Sequence, residues 1–342
     1  MIRKADVSEP LKTVYIGGGT PSLLPPSVFS GLVTGLGQIF DLNTVTEFTT
    51  EANPGTVTKE WMDTAAALGI NRISFGMQAY QDSILHLLGR IHQFEDVVSA
   101  VSLARNAGIN NISIDLIFGI PTQTIGDWER TADAALSLEP VHISAYGLIP
   151  EPGTPLCRDL ESGRLTLPDP EEERRMYDLI ISKTSACGFH QYEISSFALD
   201  SFECRHNIGY WTQVPYLGLG VSAASMTDTV YREDGMYYDR SVNPDTPDAY
   251  ENMVRSGKTS DRERIRPADA RFETMMLGLR MNRGISETDF MSRHRISIEQ
   301  CYGKKLKELE KLGLVIHENN TWRLSSRGFD IQNSVLVELM DG

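Results

Sequence analysis

Apolar residues in the first 200 positions fall into two alternating patterns, which predict strands interleaved with helices. Runs of β-branched and aromatic residues, typical of buried strands, occupy residues 13–16, 45–51, 70–75, 112–118, 141–148 and 191–197. Apolar residues at helical spacing occupy residues 28–40, 59–68, 94–107, 127–138 and 170–186. This order indicates βα units and a parallel sheet, which forms either a complete or partial barrel or an open doubly wound sheet.

The pattern of apolar and polar residues changes twice after the βα body of residues 1–200. It therefore predicts three regions: 1–200, 201–264 and 265–342. Residues 201–264 are rich in turn residues and look like an elaboration packed on the body. Residues 265–342 predict helices followed by a hairpin around Asn319 and Asn320, an arrangement typical of a winged-helix-like module. From Asp261 onward the chain carries 14 basic and 13 acidic residues. A structural or partner-docking role is therefore favoured over nucleic-acid binding.

Composition narrows the class of protein. The 342 residues are 41% hydrophobic, enough for a folded core, and carry a formal net charge of −14. That charge argues against nonspecific attraction to nucleic acid or anionic lipid. The sequence has no signal peptide and no run of membrane-spanning length, so we expect a cytoplasmic protein without a transmembrane segment. The four cysteines form no metal-binding spacing and are interpreted as reduced thiols.

The first strand ends at three consecutive glycines, Gly17, Gly18 and Gly19, followed by Thr20. Bare glycine backbone permits either a tight turn or close approach of a ligand. The run has neither the lysine of a phosphate-binding loop nor the glycine spacing of a Rossmann turn. The chain also has no G-x-S-x-G nucleophile elbow.

Polar residues stand where the predicted parallel strands end, which is where ligands bind in both candidate folds. Glu51 ends the second strand, Gln78 follows the third after Ile-Ser-Phe-Gly-Met, Asp115 interrupts the fourth, and Arg90 follows a Leu-Leu-Gly sequence. A buried carboxylate requires a partner, so Asp115 has either a structural hydrogen-bond partner or a polar ligand. Arg90 either binds a carboxylate or is a solvated helix-end charge.

A thiol, an imidazole and two aromatic residues lie close together in residues 204–211, which we expect to form a loop. Thiolate and imidazole ligate heme iron, and aromatic rings suit a porphyrin face. The alternative is that His206 is a hydrogen-bonded packing residue.

Six motifs together resemble the radical S-adenosylmethionine (SAM) proteins of the HemN/HemW group, which are oxygen-independent coproporphyrinogen oxidase-like proteins. In chain order they are IGGGTPS, TEANP, RISFGMQ, LGR, SIDLIFGIPTQT and SAYGLIPEPGTP. Within that group, HNxxYW at residues 206–211 is similar to the HemW heme chaperones rather than to the oxidase.

The resemblance implies an α/β fold with an incomplete parallel (β/α) barrel of radical SAM type and a small C-terminal winged-helix-like module. Carried over by motif, it implies that SAM is bound by Gly18, Gly19, Thr20, Glu51, Gln78, Arg90 and Asp115. His206 becomes the heme-binding candidate. The chemistry agrees, because glycine backbone can hydrogen-bond a zwitterion, Arg90 can pair with a carboxylate, and acids can accept ribose hydroxyls or offset a sulfonium charge.

The sequence departs from this group at two places. The group holds a 4Fe-4S cluster with C-x-x-x-C-x-x-C before the glycine loop, but this sequence contains no such motif. We therefore expect this chain to lack the cluster ligands and the first βα unit of the barrel. The second departure is Ser222-Ala223-Ala224, which stands where the group commonly has Gly-Ala-His.

Three hypotheses follow. The leading one is a heme chaperone of the HemW type that binds SAM and heme and passes heme to acceptor proteins. The second is a radical SAM oxidase of porphyrin biosynthesis, which requires the missing cysteines. The third is a truncated, inactive remnant.

Overall fold

The structure, a computed structural model, describes residues 10–340. The chain divides between His206 and Asn207 into two compact units, called here the N-terminal unit and the C-terminal unit.

A seven-stranded sheet organises the described part of the N-terminal unit. Its strands are β1 (Thr13–Ile16), β2 (Glu47–Ala52), β3 (Arg72–Gln78), β4 (Asn111–Phe118), β5 (His142–Gly147), β6 (His190–Glu193) and β7 (Ser196–Ala198). Strands β1 to β5 lie side by side in chain order and are all parallel, whereas β7 and β6 continue the sheet antiparallel. Short βα connections of one hand account for this sequential parallel order.

The prediction of a single strand over residues 191–197 was wrong. The chain reverses at Ile194 and Ser195, and β6 pairs antiparallel with β7. The Glu193 carboxylate accepts a hydrogen bond from the Ser195 backbone N at 3.1 Å and so stabilises the turn. Residues 191–195 alternate between polar and apolar side chains, as a straight half-buried strand does, so this pattern does not reveal the reversal.

Helices cover one face of the sheet. They are α1 (Pro26–Ile39), α2 (Lys59–Ala67), α4 (Phe94–Asn106), α5 (Ile125–Ser137) and α7 (Pro170–Ala186), while the short helices α3 (Asp82–Leu87) and α6 (Pro155–Glu161) lie in the segments after β3 and β5. Three side chains, Trp61 of α2, Phe75 of β3 and Trp128 of α5, are at most 1% exposed in the core between the layers. Burial of such large apolar surfaces supplies most of the folding energy of this layer.

The other face of the sheet is polar, because side chains alternate along each strand. Alternate residues of the strands, such as Ile73, Phe75 and Met77 in β3, are fully buried among the helices. Residues of the opposite parity form the polar face, namely Thr13, Tyr15, Glu47, Thr49, Glu51, Arg72, Ser74, Ser113, Asp115, His142, Ser144 and Tyr146.

The sheet curls around this polar face into a partial barrel. Residues 204–206, which follow β7, contact Glu47 of β2, while Tyr192 of β6 accepts a hydrogen bond from the Cys204 backbone N at 3.2 Å. One short segment thus touches strands from both ends of the sheet. Of the two alternatives that the sequence left open, the partial barrel is correct. We call the polar interior of this barrel the lumen.

The C-terminal unit contains two three-stranded antiparallel sheets within residues 207–340. One consists of β8 (Ala224–Arg232), β9 (Gly235–Val242) and β10 (Arg262–Ile265), and the other of β11 (Ile285–Ser286), β12 (Val315–Glu318) and β13 (Thr321–Leu324). The accompanying helices are α9 (Pro247–Arg255), α10 (Pro267–Gly278), α11 (Glu287–His294), α12 (Ile298–Lys311), α13 (Ser326–Asp330) and α14 (Gln332–Met340). The predicted hairpin forms at Asn319 and Asn320, both with positive φ. Helix α10, strand β11, helices α11 and α12 and the β12–β13 hairpin follow one another in the order of a winged helix.

No helix within residues 10–340 is long and apolar enough to cross a membrane.

Candidate functional site

Glu51 is the centre of the contacts at the glycine loop. Its carboxylate accepts hydrogen bonds from the Tyr15 hydroxyl at 2.8 Å and from the Gly18 backbone N at 3.1 Å. A Cβ at Gly17 would lie 2.6 Å from Glu51 Cδ and 2.7 Å from Tyr15 Cε1. Gly17 therefore permits Glu51 and Tyr15 to pack against the loop, while Gly18, with φ of +82°, makes the turn.

The loop after β1 is also tied to the loop after β2. The hydroxyl of Ser22, which is buried, lies 2.6 Å from the Thr56 hydroxyl and accepts a hydrogen bond from the Asn53 backbone N at 3.0 Å. Gly19 is exposed, and the half-buried Thr20 accepts a hydrogen bond from the Leu23 backbone N through its own carbonyl. Gly18, Gly19, Thr20 and Glu51 thus lie together at the carboxyl ends of β1 and β2.

Asp115 lies in the lumen on β4. Its carboxylate accepts hydrogen bonds from the hydroxyls of Ser74 at 2.7 Å and Ser113 at 3.3 Å. Gln78, at the end of β3, has a φ of +64° beside a bulge, and its Nε2 lies 2.7 Å from where a Cβ of Gly76 would be. Because Gly76 is the register partner of Asp115, the Gln78 amide folds back over the strand toward the neighbourhood of Asp115.

Arg90 is half-buried just after α3, where its backbone N donates a hydrogen bond to the Leu85 carbonyl at 2.8 Å. Its positive charge helps to lower the pKa of the neighbouring His92, after the larger effect of burial. No contact joins Arg90 to Glu51 or Asp115 in the described chain.

Burial raises the pKa of Glu51 and of Asp115 above the usual range of carboxyl groups, and for Glu51 the nearby Asp115 charge raises it further. Their hydrogen-bond donors oppose this effect, Tyr15 and Gly18 at Glu51 and Ser74 at Asp115. Two carboxyl groups that repel each other in a poorly solvated lumen are suited to a cationic ligand.

His206 lies against β1 and β2 in the N-terminal unit. Its ring stacks on Tyr15 with the ring centroids 5.1 Å apart and an interplanar angle of 22°, and its Nδ1 lies 2.9 Å from the Thr13 hydroxyl. Tyr15 thus contacts His206 with its ring and Glu51 with its hydroxyl. Burial lowers the pKa of His206, although Glu47 opposes this shift. The imidazole is therefore neutral at pH 7, the form that ligates metals.

The expectation that residues 204–211 form a loop was wrong, because α8 (Arg205–Trp211) is a helix. The reason is Glu47, which is 4% exposed. Its carboxylate accepts hydrogen bonds from the backbone N of Arg205 at 2.8 Å and of His206 at 2.9 Å, and the Cys204 thiol lies 3.6 Å away. A carboxylate on the first backbone N–H groups stabilises a helix start. This cap comes from a strand more than 150 residues earlier, so local sequence gives no sign of it.

Sequence reasoning missed a further set of lumen residues. His142 is fully buried, with Nδ1 2.8 Å from the Ser113 hydroxyl and Nε2 2.8 Å from the Tyr192 hydroxyl. Burial lowers the pKa of His142 well below its usual value. Tyr15, Glu47 and Arg72 are also lumen residues. The sequence did contain a signal for all of them. Alternate residues of the strands carry hydroxyl, acid, imidazole or guanidinium groups, and these alternate residues share one face of the sheet.

The described residues do not fit an iron-sulfur cluster. The four cysteines are free thiols, and no group of three or more His, Cys, Asp or Glu side chains within residues 10–340 is arranged to hold a metal ion. A cluster needs several thiolates at one point.

Comparison with known proteins identifies the family and the fold of the chain. Residues 1–135 match the radical SAM superfamily, and residues 265–331 match the HemN C-terminal domain. Among solved structures, the coproporphyrinogen III oxidase HemN of Escherichia coli superposes with a TM-score of 0.80 over 96% of this chain and 77% of that chain. The two are 20% identical, so this likeness concerns the fold, a partial radical SAM barrel.

Two curated relatives are similar over nearly the whole chain. A protein of Bacillus subtilis named heme chaperone HemW is 34% identical over 95% of this chain and 84% of its own length. A protein of Lactococcus lactis with the same name is 32% identical over 97% of this chain and 85% of its own length. At this identity and coverage, together with the superfamily match, the chain belongs to the HemW family of radical SAM proteins.

Proposed function

We propose that this protein is a heme chaperone of the HemW type, which binds SAM at the carboxyl ends of β1 to β4, binds heme at His206, and passes heme to acceptor proteins. The observation that carries the proposal is the contact chain from the Gly18 backbone N through Glu51 and Tyr15 to His206. It joins the candidate SAM residues and the candidate heme ligand on one wall of the lumen.

The charge of the lumen supports SAM as the ligand at the strand ends. Glu51 and Asp115 have raised pKa values because a carboxylate is costly in this environment. SAM carries a sulfonium and an ammonium group, and either positive charge offsets that cost. The exposed backbone of Gly19 can offer an N–H group to the SAM carboxylate, whereas the Gly18 N–H already donates to Glu51. Gln78 and Arg90 complete the proposed SAM set, in which Arg90 is the carboxylate partner.

The SAM site is tested by comparing SAM with S-adenosylhomocysteine, which lacks the sulfonium charge, in calorimetric titrations. The parent protein is expected to bind SAM more tightly. Glu51→Gln is expected to reduce SAM affinity by about tenfold, which corresponds to one lost charge interaction of about 1.4 kcal/mol, and to narrow the difference between the two ligands. The matched control is Glu60→Gln, an exposed acid of α2. Unchanged SAM affinity in Glu51→Gln would contradict the assignment.

Heme binding is tested by following the Soret band during heme titration. His206→Ala is expected to weaken binding by at least tenfold and to shift the band, because an iron ligand is lost. The control is His86→Ala, an exposed histidine of α3. If His206→Ala keeps the parent spectrum and affinity, His206 is not the ligand.

Delivery of heme is a separate property from binding. The heme-loaded protein is mixed with a b-type apo-cytochrome, and heme transfer is compared with release into an apomyoglobin trap. A chaperone is expected to transfer heme to the cytochrome faster than it releases heme spontaneously. Equal rates of transfer and release would show that the protein binds heme but does not deliver it.

A further inference from the structure

Arg72 is a charged residue inside the lumen that has no hydrogen-bond or ion-pair partner among residues 10–340. It is the first residue of β3, has the same parity as Ser74, and is 2% exposed. Its side chain makes no hydrogen bond or ion pair with any residue of the described chain, and its Nε is buried without a partner. A buried guanidinium without a partner costs several kcal/mol, so such groups in proteins are normally paired.

The acids near Arg72 are already occupied by other donors. Burial alone would lower the pKa of Arg72, but the neighbouring Cys204, Glu47 and Asp115 raise it, so the guanidinium stays charged. Glu47 accepts hydrogen bonds from the start of α8, and Asp115 accepts them from Ser74 and Ser113. The planar fork of Arg72 therefore remains available for an incoming group, and a carboxylate matches it best.

Arg72 lies on the same face of the sheet as the candidate heme ligand. It is the register partner of Thr49 on β2, Thr49 is the register partner of Tyr15 on β1, and the His206 ring stacks on Tyr15. Heme presents an iron atom that a neutral imidazole can ligate and two propionate carboxylates on short flexible arms. His206 can ligate the iron, and Arg72 can bind a propionate carboxylate.

The structure assigns to Arg72 the binding of a ligand carboxylate within the lumen, and we infer that this carboxylate is a heme propionate. The inference rests on the proposed heme binding at His206. Because Glu47 and Asp115 repel an arriving carboxylate, the expected contribution is about tenfold in affinity, at the lower end for hydrogen-bonded charge pairs.

The test measures the affinity of each of two ligands for each of three forms of the protein. Heme and heme dimethyl ester, in which both propionates are esterified, are titrated into the parent, Arg72→Gln and Arg72→Lys. The parent is expected to prefer heme to the ester. Arg72→Gln is expected to lose about tenfold for heme and nothing for the ester, and Arg72→Lys to lose an intermediate amount because it keeps the charge without the fork. Arg130→Gln, an exposed arginine of α5, is the control.

Each other outcome has a definite meaning. An equal loss for both ligands, or no loss for either, overturns the inference, since the carboxylate then makes no difference. Reduced SAM affinity with unchanged heme affinity also overturns it and assigns Arg72 to the carboxylate of SAM. If Arg72→Gln does not fold, as judged by its melting curve, Arg72→Lys provides the same comparison. A parent protein whose Soret band does not depend on His206 refutes the proposed function instead.

Discussion

Adjacent glycines of the loop after β1 have different structural roles. Gly17 leaves room for the side chains of Glu51 and Tyr15, whereas Gly18 adopts the positive φ that a side chain disfavours. The sequence predicted that this backbone is approached closely. It could not predict that two of the approaching groups belong to the protein itself, because both contacts at Gly17 depend on how β1 and β2 pair.

Gly17→Ala is expected to destabilise the protein by about 1–3 kcal/mol, because the new methyl group overlaps the Glu51 carboxyl group and the Tyr15 ring. Urea denaturation measures the change, and SAM affinity should fall with it. Gly31→Ala is the control, since it lies in α1 with no atom within 4 Å of an added Cβ. That variant should keep or raise the stability, by up to about 1 kcal/mol. Equal effects of both substitutions would show that the close contact at Gly17 is unimportant.

The raised pKa values of Glu51 and Asp115 give the lumen a pH dependence. In the free protein these groups hold protons to higher pH than in the unfolded chain, so they reduce stability as pH rises from about 4 through their folded-state values. A bound cation favours the ionised carboxylates, so the affinity for a cation has the opposite dependence on pH.

SAM affinity is therefore expected to rise with pH through the raised pKa values and to level off above them, with a slope of at most about tenfold per pH unit for each proton released. Calorimetry between pH 5 and pH 8 measures this. Glu51→Gln should flatten the rise, leaving the part due to Asp115. An affinity that is independent of pH, or that falls as pH rises, would contradict a cation between these acids.

At the scale of elements, the strands have one apolar and one polar face. This alternation was visible in the sequence of β3, where Arg72, Ser74 and Gly76 alternate with Ile73 and Phe75. Strand existence and order were therefore predictable through most of the N-terminal unit. Two elements were not, the β6–β7 hairpin and α8, because each depends on a carboxylate, Glu193 or Glu47, bonded to particular backbone N–H groups.

Glu47→Gln is expected to loosen the start of α8, because a neutral amide is a weaker acceptor than a carboxylate and its NH2 group cannot accept. We expect a loss of about 1–3 kcal/mol in unfolding free energy and faster hydrogen exchange at the Arg205 and His206 amides. Glu60→Gln should change stability by no more than a few tenths of a kcal/mol. Unaltered exchange at Arg205 and His206 would mean that Glu47 does not hold the helix start.

At the scale of the whole molecule, the proposed SAM and heme residues all belong to the N-terminal unit. The C-terminal unit has its own apolar cores, one of them built around Phe290 and Trp322. The acidic excess of the chain also lies before residue 261, since the remainder is nearly neutral. A ligand that binds at the strand ends should therefore stabilise one unit selectively.

SAM at 100 times its dissociation constant is expected to stabilise the N-terminal unit by about 2.7 kcal/mol. In hydrogen-exchange mass spectrometry, the added protection should be confined to residues 10–206, with its maximum in β1 to β4. Peptides from α10 to α14 provide the internal control. Greater protection of those peptides than of the sheet would locate the ligand elsewhere.

The sequence by itself determined the order of strands and helices through most of the N-terminal unit, the loop after β1, and which residues of a strand share a face, because strand and helix periodicities are local properties. The tertiary structure decided which lumen residues meet. Curling of the sheet brings residues 204–206 onto β1 and β2, stacks His206 on Tyr15, and leaves Arg72 without a partner in the part of the chain that the structure describes. These contacts join positions up to 193 residues apart, and no local pattern encodes such distances.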